Sequence, residues 1–172
     1  MLFPPLHEAR FLTRLNRFAA MVLLEGKKVK VHIANSGRMH ELLQRGNRCY
    51  LFHRPSEHRK TAYDLGLVDI GSILENPVAD PKDTYMFGRM ASVQQDRAMH
   101  TLVSTDSRVP NILVWESWSA GDLPHFEGYT VGRREVWFHD SRLDMMLDGP
   151  TGQCYIEMKS VPLESDRTAW FP

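Results

Sequence analysis

The sequence predicts an α+β protein in which a small basic β-barrel precedes a domain of one helix and a sheet. Three observations predict this order. Short segments of alternating apolar residues fill the first sixty positions, one helical segment runs from Pro110 to a stop at Gly121, and short strand segments follow it. With 42% hydrophobic residues among 172, the chain can bury a real core, so we expect folded domains rather than disorder.

The first part of the chain is predicted to be all-β. Alternating apolar residues on both sides of Glu25-Gly26-Lys27 predict a hairpin. Its other predicted elements are a turn at residues 35–37, one helical turn at 39–43 closed by Gly46, and a strand at 49–53. Short strands in a basic segment of this size favour an OB-fold, although an SH3-like barrel gives nearly the same pattern.

The rest of the chain divides into a connection and a second domain. Asn76-Pro77, Asp80-Pro81 and Gly88 interrupt any long element in the stretch after residue 62. The elements predicted beyond it are a strand at 99–103, the helix from Pro110 with Ser107 available as its cap, and strands at 135–138, 143–147 and 154–161. We therefore expect an OB-like domain at 1–62, a connecting region at 63–98 and an α/β domain at 99–172.

The composition also limits where the protein works. No run of 18 apolar residues is present, so the sequence predicts no membrane span, and the N-terminus lacks the pattern of a signal peptide. We expect a cytoplasmic protein in which Cys49 and Cys154 are reduced and buried.

The net charge of zero hides a strong asymmetry along the chain. Residues 1–60 carry 12 Lys or Arg against 4 Asp or Glu, whereas the remainder carries 9 against 17. This split favours a first half that faces a polyanion, although basic residues scattered over a solvated surface are the plainer explanation. The side chains that we expect to contact phosphates are Arg14, Arg17, Lys27, Lys28, Lys30 and Arg38.

The clearest chemical signal is a pair of acidic residues near the end of the chain. If residues 148–153 form a hairpin loop, Asp144 falls directly opposite Glu157. Facing carboxylates repel each other unless a cation lies between them, and Mg²⁺ or Mn²⁺ takes carboxylate oxygens as ligands. Lys159 leaves the strand on the same face as Glu157, because residues two apart share a face. The set predicts metal-dependent phosphodiester hydrolysis.

Two further observations bear on this predicted site. Glu116, on the helix before the sheet, can add a third carboxylate to the metal ligands. Against the site, a Glu-x-Lys occurs by chance in roughly half of chains this long and then usually forms a solvated ion pair. No Cys/His spacing supports zinc, and no glycine-rich phosphate-binding loop is present.

Motifs at both ends of the chain resemble one known family, the sugar fermentation stimulation protein (SfsA) family. The matching segments are Arg14-Leu15-Asn16-Arg17-Phe18, His32-Ile33-Ala34-Asn35-Ser36-Gly37-Arg38-Met39, Glu41-Leu42-Leu43, Val109-Pro110-Asn111, Glu135-Val136, Ser141-Arg142-Leu143-Asp144-Met145-Met146-Leu147 and Cys154-Tyr155-Ile156-Glu157-Met158-Lys159-Ser160-Val161. The resemblance covers most of the chain except roughly residues 63–98.

The resemblance implies an N-terminal OB-like domain and a restriction-endonuclease-like domain of the PD-(D/E)xK type. It also implies DNA binding linked to the control of sugar use. Asp144, Glu157 and Lys159 match the nuclease motif of the family position by position, and Glu116 is a softer match. Family members continue beyond Phe171-Pro172 with a helix and more sheet, so we expect a truncated second domain with an open, poorly supported site.

Three functions follow as hypotheses. The first is a DNA-binding protein with a Mg²⁺-dependent nuclease site. The second is a non-catalytic DNA-binding regulator of sugar metabolism whose nuclease site is vestigial. The third is a barrel that binds carbohydrate or protein, since OB-like folds also bind sugars. DNA is the expected partner, no membrane is expected, and homodimerisation is left open.

Overall fold

The computed structural model of the chain describes residues 2–70, 101–165 and 168–169. These residues fall into two compact units, one made of residues 3–106 with the segment after residue 160, the other of residues 107–160 together with Leu2. Among the described residues, no helix has both the length and the apolar character that crossing a bilayer requires. The residues expected to interrupt any long element in the connecting region, Asn76-Pro77, Asp80-Pro81 and Gly88, lie outside the described residues.

The first unit contains a closed barrel. Its strands are β1 (Leu6–Asn16), β2 (Ala19–Leu24), β3 (Lys27–His32), β4 (Arg48–His53), β5 (Tyr63–Ile70) and β6 (Thr101–Ser104). They form one sheet in the order β3-β2-β1-β4-β5-β6, and a parallel pairing of His32 with Asp64 joins β3 to β5. Closure of the first five strands in this order confirms the OB-like barrel.

The long strand β1 makes the closure feasible. It pairs with β2 through its second half and with β4 through its first half, with register shifts after Phe11 and after Arg14. Such irregularities increase the local bend, which lets one strand serve two neighbours around a barrel. The core inside is formed by alternate side chains of the strands, among them Ala9, Phe11, Val22, Val31, Cys49, Leu51, Leu65 and Val68.

The predicted turns of the barrel are present. Glu25 and Gly26 both have positive φ, 48° and 76°, which is the type I′ geometry that suits a two-residue hairpin. The Met39 carbonyl accepts hydrogen bonds from the Leu42 and Leu43 amides at 3.2 and 2.9 Å, so one helical turn forms there.

Both cysteines are free. Cys49 is fully buried in the barrel core, as expected, and burial raises the pKa of its thiol to about 12. Cys154 is only partly buried, because it lies in a three-stranded sheet whose faces are less completely covered.

The second unit consists of one helix and a three-stranded sheet. Its elements are α1 (Val109–Ser119), a short 3-10 turn (Pro124–Phe126), β7 (Val131–Phe138), β8 (Ser141–Gly149) and β9 (Gly152–Ile156). The antiparallel sheet has the order β7-β8-β9. Two further strands, β10 (Glu164–Ser165) and β11 (Thr168–Ala169), form a separate pair.

Helix α1 packs on this sheet through two tryptophans. A Cβ built on Gly132 of β7 would lie 2.5 Å from the Trp118 ring and 3.1 Å from the Trp115 ring. The Arg134 guanidinium lies 5.8 Å from the centre of the Trp115 ring. Glycine at position 132 is therefore what allows the indole rings to reach the backbone of the sheet.

Three sequence expectations differ from the structure. The boundary predicted at residue 62 cuts off β5 and β6, which belong to the barrel sheet because β5 pairs with β4 and β6 pairs with β5. The strand predicted at 99–103 is described as β6 and pairs with β5, not with the second sheet. The helix begins after Arg108, and no side chain caps it, so Ser107 is not its cap.

Candidate functional site

The hairpin that carries the predicted acidic pair has the expected register. β8 and β9 pair Leu147 with Cys154, and the pairing continues through Gly149 and Gly152. The connecting loop therefore shrinks to Pro150-Thr151, which is shorter than predicted but leaves the alignment unchanged. Continued by one step beyond the last pair, Met145 with Ile156, this register would set Asp144 opposite Glu157, a pair that lies outside the ladder itself.

Strand β9, however, ends at Ile156, whereas the sequence pattern predicts a strand to residue 161. The reason is a change of hydrogen-bond partner. The Met158 amide donates to Oδ2 of Asp144 at 2.7 Å, so a side-chain carboxylate takes the place of a backbone carbonyl of β8. The structure thus brings Asp144 to the middle residue of the Glu157-Met158-Lys159 motif.

Glu157 and Lys159 contact each other directly. The Lys159 ammonium donates to Oε1 of Glu157, and the side chains are 41% and 56% exposed for the glutamate and the lysine. An ion pair this exposed contributes under about 1 kcal/mol, because water screens it. Either partner can therefore exchange the other for a phosphate or a cation at little cost.

Asn111 of helix α1 is a site residue that reasoning from the sequence does not single out. Its Nδ2 donates to Oδ1 of Asp144 at 2.6 Å. The carboxylate is thereby held on both oxygens, one by the helix and one by the backbone of residue 158. The sequence signal that could have found it is its place in the segment Val109-Pro110-Asn111, which matches the resembled family.

Glu116 is not brought to this pair. It is exposed and lies five residues after Asn111, which places it about 140° around the helix from the asparagine that contacts Asp144. Among the described residues, no three His, Cys, Asp or Glu side chains converge where a metal ion could be held. The three-carboxylate arrangement predicted with Glu116 is therefore absent from this part of the structure.

Three of the predicted phosphate contacts lie on strand β3 or at its start. Along β3, Val29 and Val31 face the barrel core, so Lys28 and Lys30 alternate with them toward solvent. Lys27 is exposed at the hairpin that precedes them. The three ammonium groups are accessible along this edge of the barrel.

Arg14 differs from the other predicted phosphate contacts. Its guanidinium donates to the carbonyl oxygens of Asn16 at 3.0 Å, Arg17 and Gly37 at 2.6 Å each, Asn35 at 3.4 Å, and Arg38. Five backbone acceptors use the donors that a phosphate would need, so the structure does not present the Arg14 guanidinium to a phosphate. Desolvation, and then the nearby charge of Arg17, lower the pKa of Arg14.

Arg17 and Arg38 are exposed on the two loops that Arg14 joins. Arg17 is in the turn between β1 and β2, and Arg38 is in the loop that follows β3. Within the described residues, no acidic side chain is ion-paired with either. Both guanidinium groups are therefore available to an anion.

Comparison with known families matches both units. A model described as the SfsA N-terminal OB domain matches residues 12–74, and one described as the sugar fermentation stimulation protein RE domain matches residues 108–172. The first match runs past residue 62, so the likeness extends into the stretch that the sequence motifs leave unmatched.

Individual relatives agree with these matches. The sugar fermentation stimulation protein homologue of Desulforamulus reducens is 35% identical over 172 residues, which is 100% of this chain and 60% of the relative. That of Moorella thermoacetica is 36% identical over 167 residues, or 96% of this chain and 60% of the relative. The chain thus spans about three fifths of the length of these relatives.

A solved structure is also similar to the chain. The structure of Pyrococcus furiosus SfsA in complex with Ca²⁺ superposes with a TM-score of 0.73 at 25% identity, covering 100% of this chain and 62% of that protein. Together with the two family models, which match most of the chain, these likenesses lead to one conclusion. This chain belongs to the sugar fermentation stimulation protein family.

Proposed function

We propose that this chain binds DNA through the basic side of its barrel and hydrolyses phosphodiesters with a divalent cation, Mg²⁺ or Mn²⁺, held beside Asp144 and Glu157. The observation that carries the proposal is the hydrogen bond from the Met158 amide to Asp144. It ties an aspartate of one strand to the middle residue of the Glu157-Met158-Lys159 motif, so the backbone of that motif contacts the Asp144 carboxylate.

The donor set fits Mg²⁺. This ion keeps several waters and usually binds through one or two carboxylates together with phosphate oxygens, so a third acidic residue is not required. Each oxygen of Asp144 accepts one hydrogen bond, which leaves each with a further lone pair. That the P. furiosus relative was solved with Ca²⁺, another cation that prefers oxygen ligands, supports the same choice.

The residues of the site would divide the work. Asp144 and Glu157 would hold the cation, which when bound polarises a phosphoryl oxygen and favours formation of the nucleophile near neutral pH. Lys159, released from its exposed pair with Glu157, would donate to a phosphate oxygen and stabilise the charge that develops on it.

We also propose that residues 107–160 represent the restriction-endonuclease-like, PD-(D/E)xK fold. Support comes from a helix followed by a sheet in which β8 carries Asp144 and the neighbouring β9 leads directly into the Glu157-Met158-Lys159 motif. The description of the family model that matches this region as an RE domain points the same way.

The DNA-binding half of the proposal depends on exposed cations. Lys28 and Lys30 on β3, Lys27 before them, and Arg17 and Arg38 on the neighbouring loops lie in the unit that contains the first sixty residues, where basic side chains outnumber acidic ones threefold. Phosphate contacts of this kind supply most of the affinity of non-specific DNA binding.

The test is Asp144→Asn in an assay of labelled DNA with and without Mg²⁺. The amide keeps the shape of the side chain and removes its charge, so we expect the rate of Mg²⁺-dependent cleavage to fall by about 100-fold or more. Asp148→Asn, on the same strand, is the matched control and should cleave normally. Wild-type rates in Asp144→Asn would exclude this site.

A second candidate function is DNA binding without catalysis, as in a regulator of sugar metabolism with a vestigial nuclease site. The ion pair between Glu157 and Lys159 favours it, because the glutamate already has a cationic partner. The same assay separates the two, since a regulator binds DNA and leaves it intact at every Mg²⁺ concentration.

A further inference from the structure

The turn between β1 and β2 exposes an aromatic ring on a rigid support. Phe18 is 51% exposed. Its amide donates to Oδ1 of Asn16 at 2.9 Å, and its carbonyl accepts from the Ile33 amide at 2.9 Å and lies 3.0 Å from Nδ1 of His32. Both backbone groups of Phe18 are therefore fixed, and the exposure of the ring does not result from a loose loop.

Two cationic side chains border this turn. Arg14 donates to the carbonyl oxygens of both Arg17 and Arg38, so one guanidinium holds the β1–β2 turn and the loop after β3 side by side. Arg17 and Arg38 thus have exposed side chains, while their backbone carbonyls are held by hydrogen bonds from Arg14.

The positive charges of Arg14, Arg17 and Arg38 repel one another, and this repulsion costs free energy unless an anion binds beside them. The lowered pKa of Arg14, caused by desolvation and by Arg17, agrees with such crowding. An exposed ring on a turn that also carries a cation, with a second cation on the loop joined to it, is a combination with which proteins bind unpaired nucleotides, because the ring can stack on a base and the cations can contact its phosphates.

We propose that Phe18 stacks on one unpaired base while Arg17 and Arg38 contact the neighbouring phosphates, so that the barrel prefers single-stranded nucleic acid to duplex. The preference follows from access, since bases in a duplex present their faces only to each other, whereas a single strand can place a base on the ring. The inference rests on the proposed function in that it takes nucleic acid as the ligand.

The experiment measures fluorescence anisotropy of a labelled mixed-sequence single strand and of the duplex of the same length, with the full chain in EDTA. Phe18→Ala removes the ring, and Phe18→Leu keeps apolar surface without it. One lost base stack should weaken single-strand binding roughly 5- to 150-fold and duplex binding less than about 2-fold. Leu15→Ala, at a position 46% exposed in the same hairpin, is the matched control and should change neither affinity.

Thermal unfolding midpoints show whether each variant is folded, and Phe18→Leu remains informative if Phe18→Ala unfolds. Suppose that the wild-type protein binds DNA. If Phe18→Leu then binds single strand and duplex as the wild type does, or loses affinity for both equally, the stacking role is overturned while the proposed DNA binding stands. Wild-type protein that binds neither form would overturn the proposed DNA binding itself. These binding results are independent of the cleavage test with Asp144→Asn, because the binding experiment is run in EDTA, which removes the divalent cation that cleavage needs.

Discussion

Arg14 and Arg17 lie three residues apart in one basic stretch, yet their side chains have different surroundings. The Arg14 guanidinium is used by five backbone carbonyls, whereas the Arg17 side chain is exposed. Charge counting treats the two alike, because it records residue type and not hydrogen-bond partners. Arg14 is better described as a positioning residue that holds two loops together.

At the residue scale, Arg14→Lys should lower the unfolding midpoint of the barrel. A lysine ammonium keeps the charge but cannot reach acceptors on both loops, and each lost hydrogen bond costs about 1 kcal/mol. Thermal denaturation checks this. The contact with phosphate is tested by removing the charge with Arg14→Gln: because backbone carbonyls already use the Arg14 guanidinium, the salt dependence of DNA binding should keep its slope. A slope reduced by about 0.9 in Arg14→Gln would show that Arg14 binds phosphate.

At the scale of elements, the second unit depends on how closely α1 approaches β7. Two tryptophan rings lie against Gly132, and Asn111 on the same helix holds Asp144. The packing of the helix and the orientation of the acidic residue are thus properties of one helix–sheet contact. A disturbance of the packing should therefore reach the candidate metal site through Asn111.

Gly132→Ala should destabilise this contact. Its Cβ would lie 2.5 Å from the Trp118 ring, and such overpacking should lower the free energy of unfolding by about 1–3 kcal/mol. A lower unfolding midpoint, measured by tryptophan fluorescence, is the expected result. Adding Trp118→Phe should restore part of the loss, because the smaller ring leaves room for the methyl group. An unchanged midpoint in Gly132→Ala would mean that the rings move aside without cost.

At the scale of the whole molecule, a net charge of zero combines a basic first part with an acidic remainder. Only the local distribution matters for a polyanion at contact distance, since charges beyond about 10 Å are largely screened at 0.1 M salt. The chain can therefore bind DNA without an overall positive charge. Binding of this kind must be sensitive to salt.

With five phosphate contacts (Arg17, Lys27, Lys28, Lys30 and Arg38), affinity for DNA should fall roughly 500-fold between 50 and 200 mM salt, since each contact contributes about 0.9 to the logarithmic slope. Lys28→Gln and Lys30→Gln should each reduce that slope by about 0.9. Anisotropy titrations over this range provide the measurement. Affinity that does not change with salt would argue for the third hypothesis, a barrel that binds carbohydrate or protein.

The sequence by itself determined the elements whose signals are local. The Glu25-Gly26 hairpin, the turn after Met39, the helix at Pro110 and the pairing of Leu147 with Cys154 follow from turn residues and alternation, which act over a few neighbouring positions.

Only the tertiary structure decided which distant groups meet. It joined β3 to β5, assigned β6 to the barrel, turned the Arg14 guanidinium onto backbone carbonyls, and linked Asn111 to Asp144 while leaving Glu116 exposed. Each of these contacts spans many residues. Its formation depends on closure of the barrel or on packing of a helix, which no short stretch of sequence encodes alone.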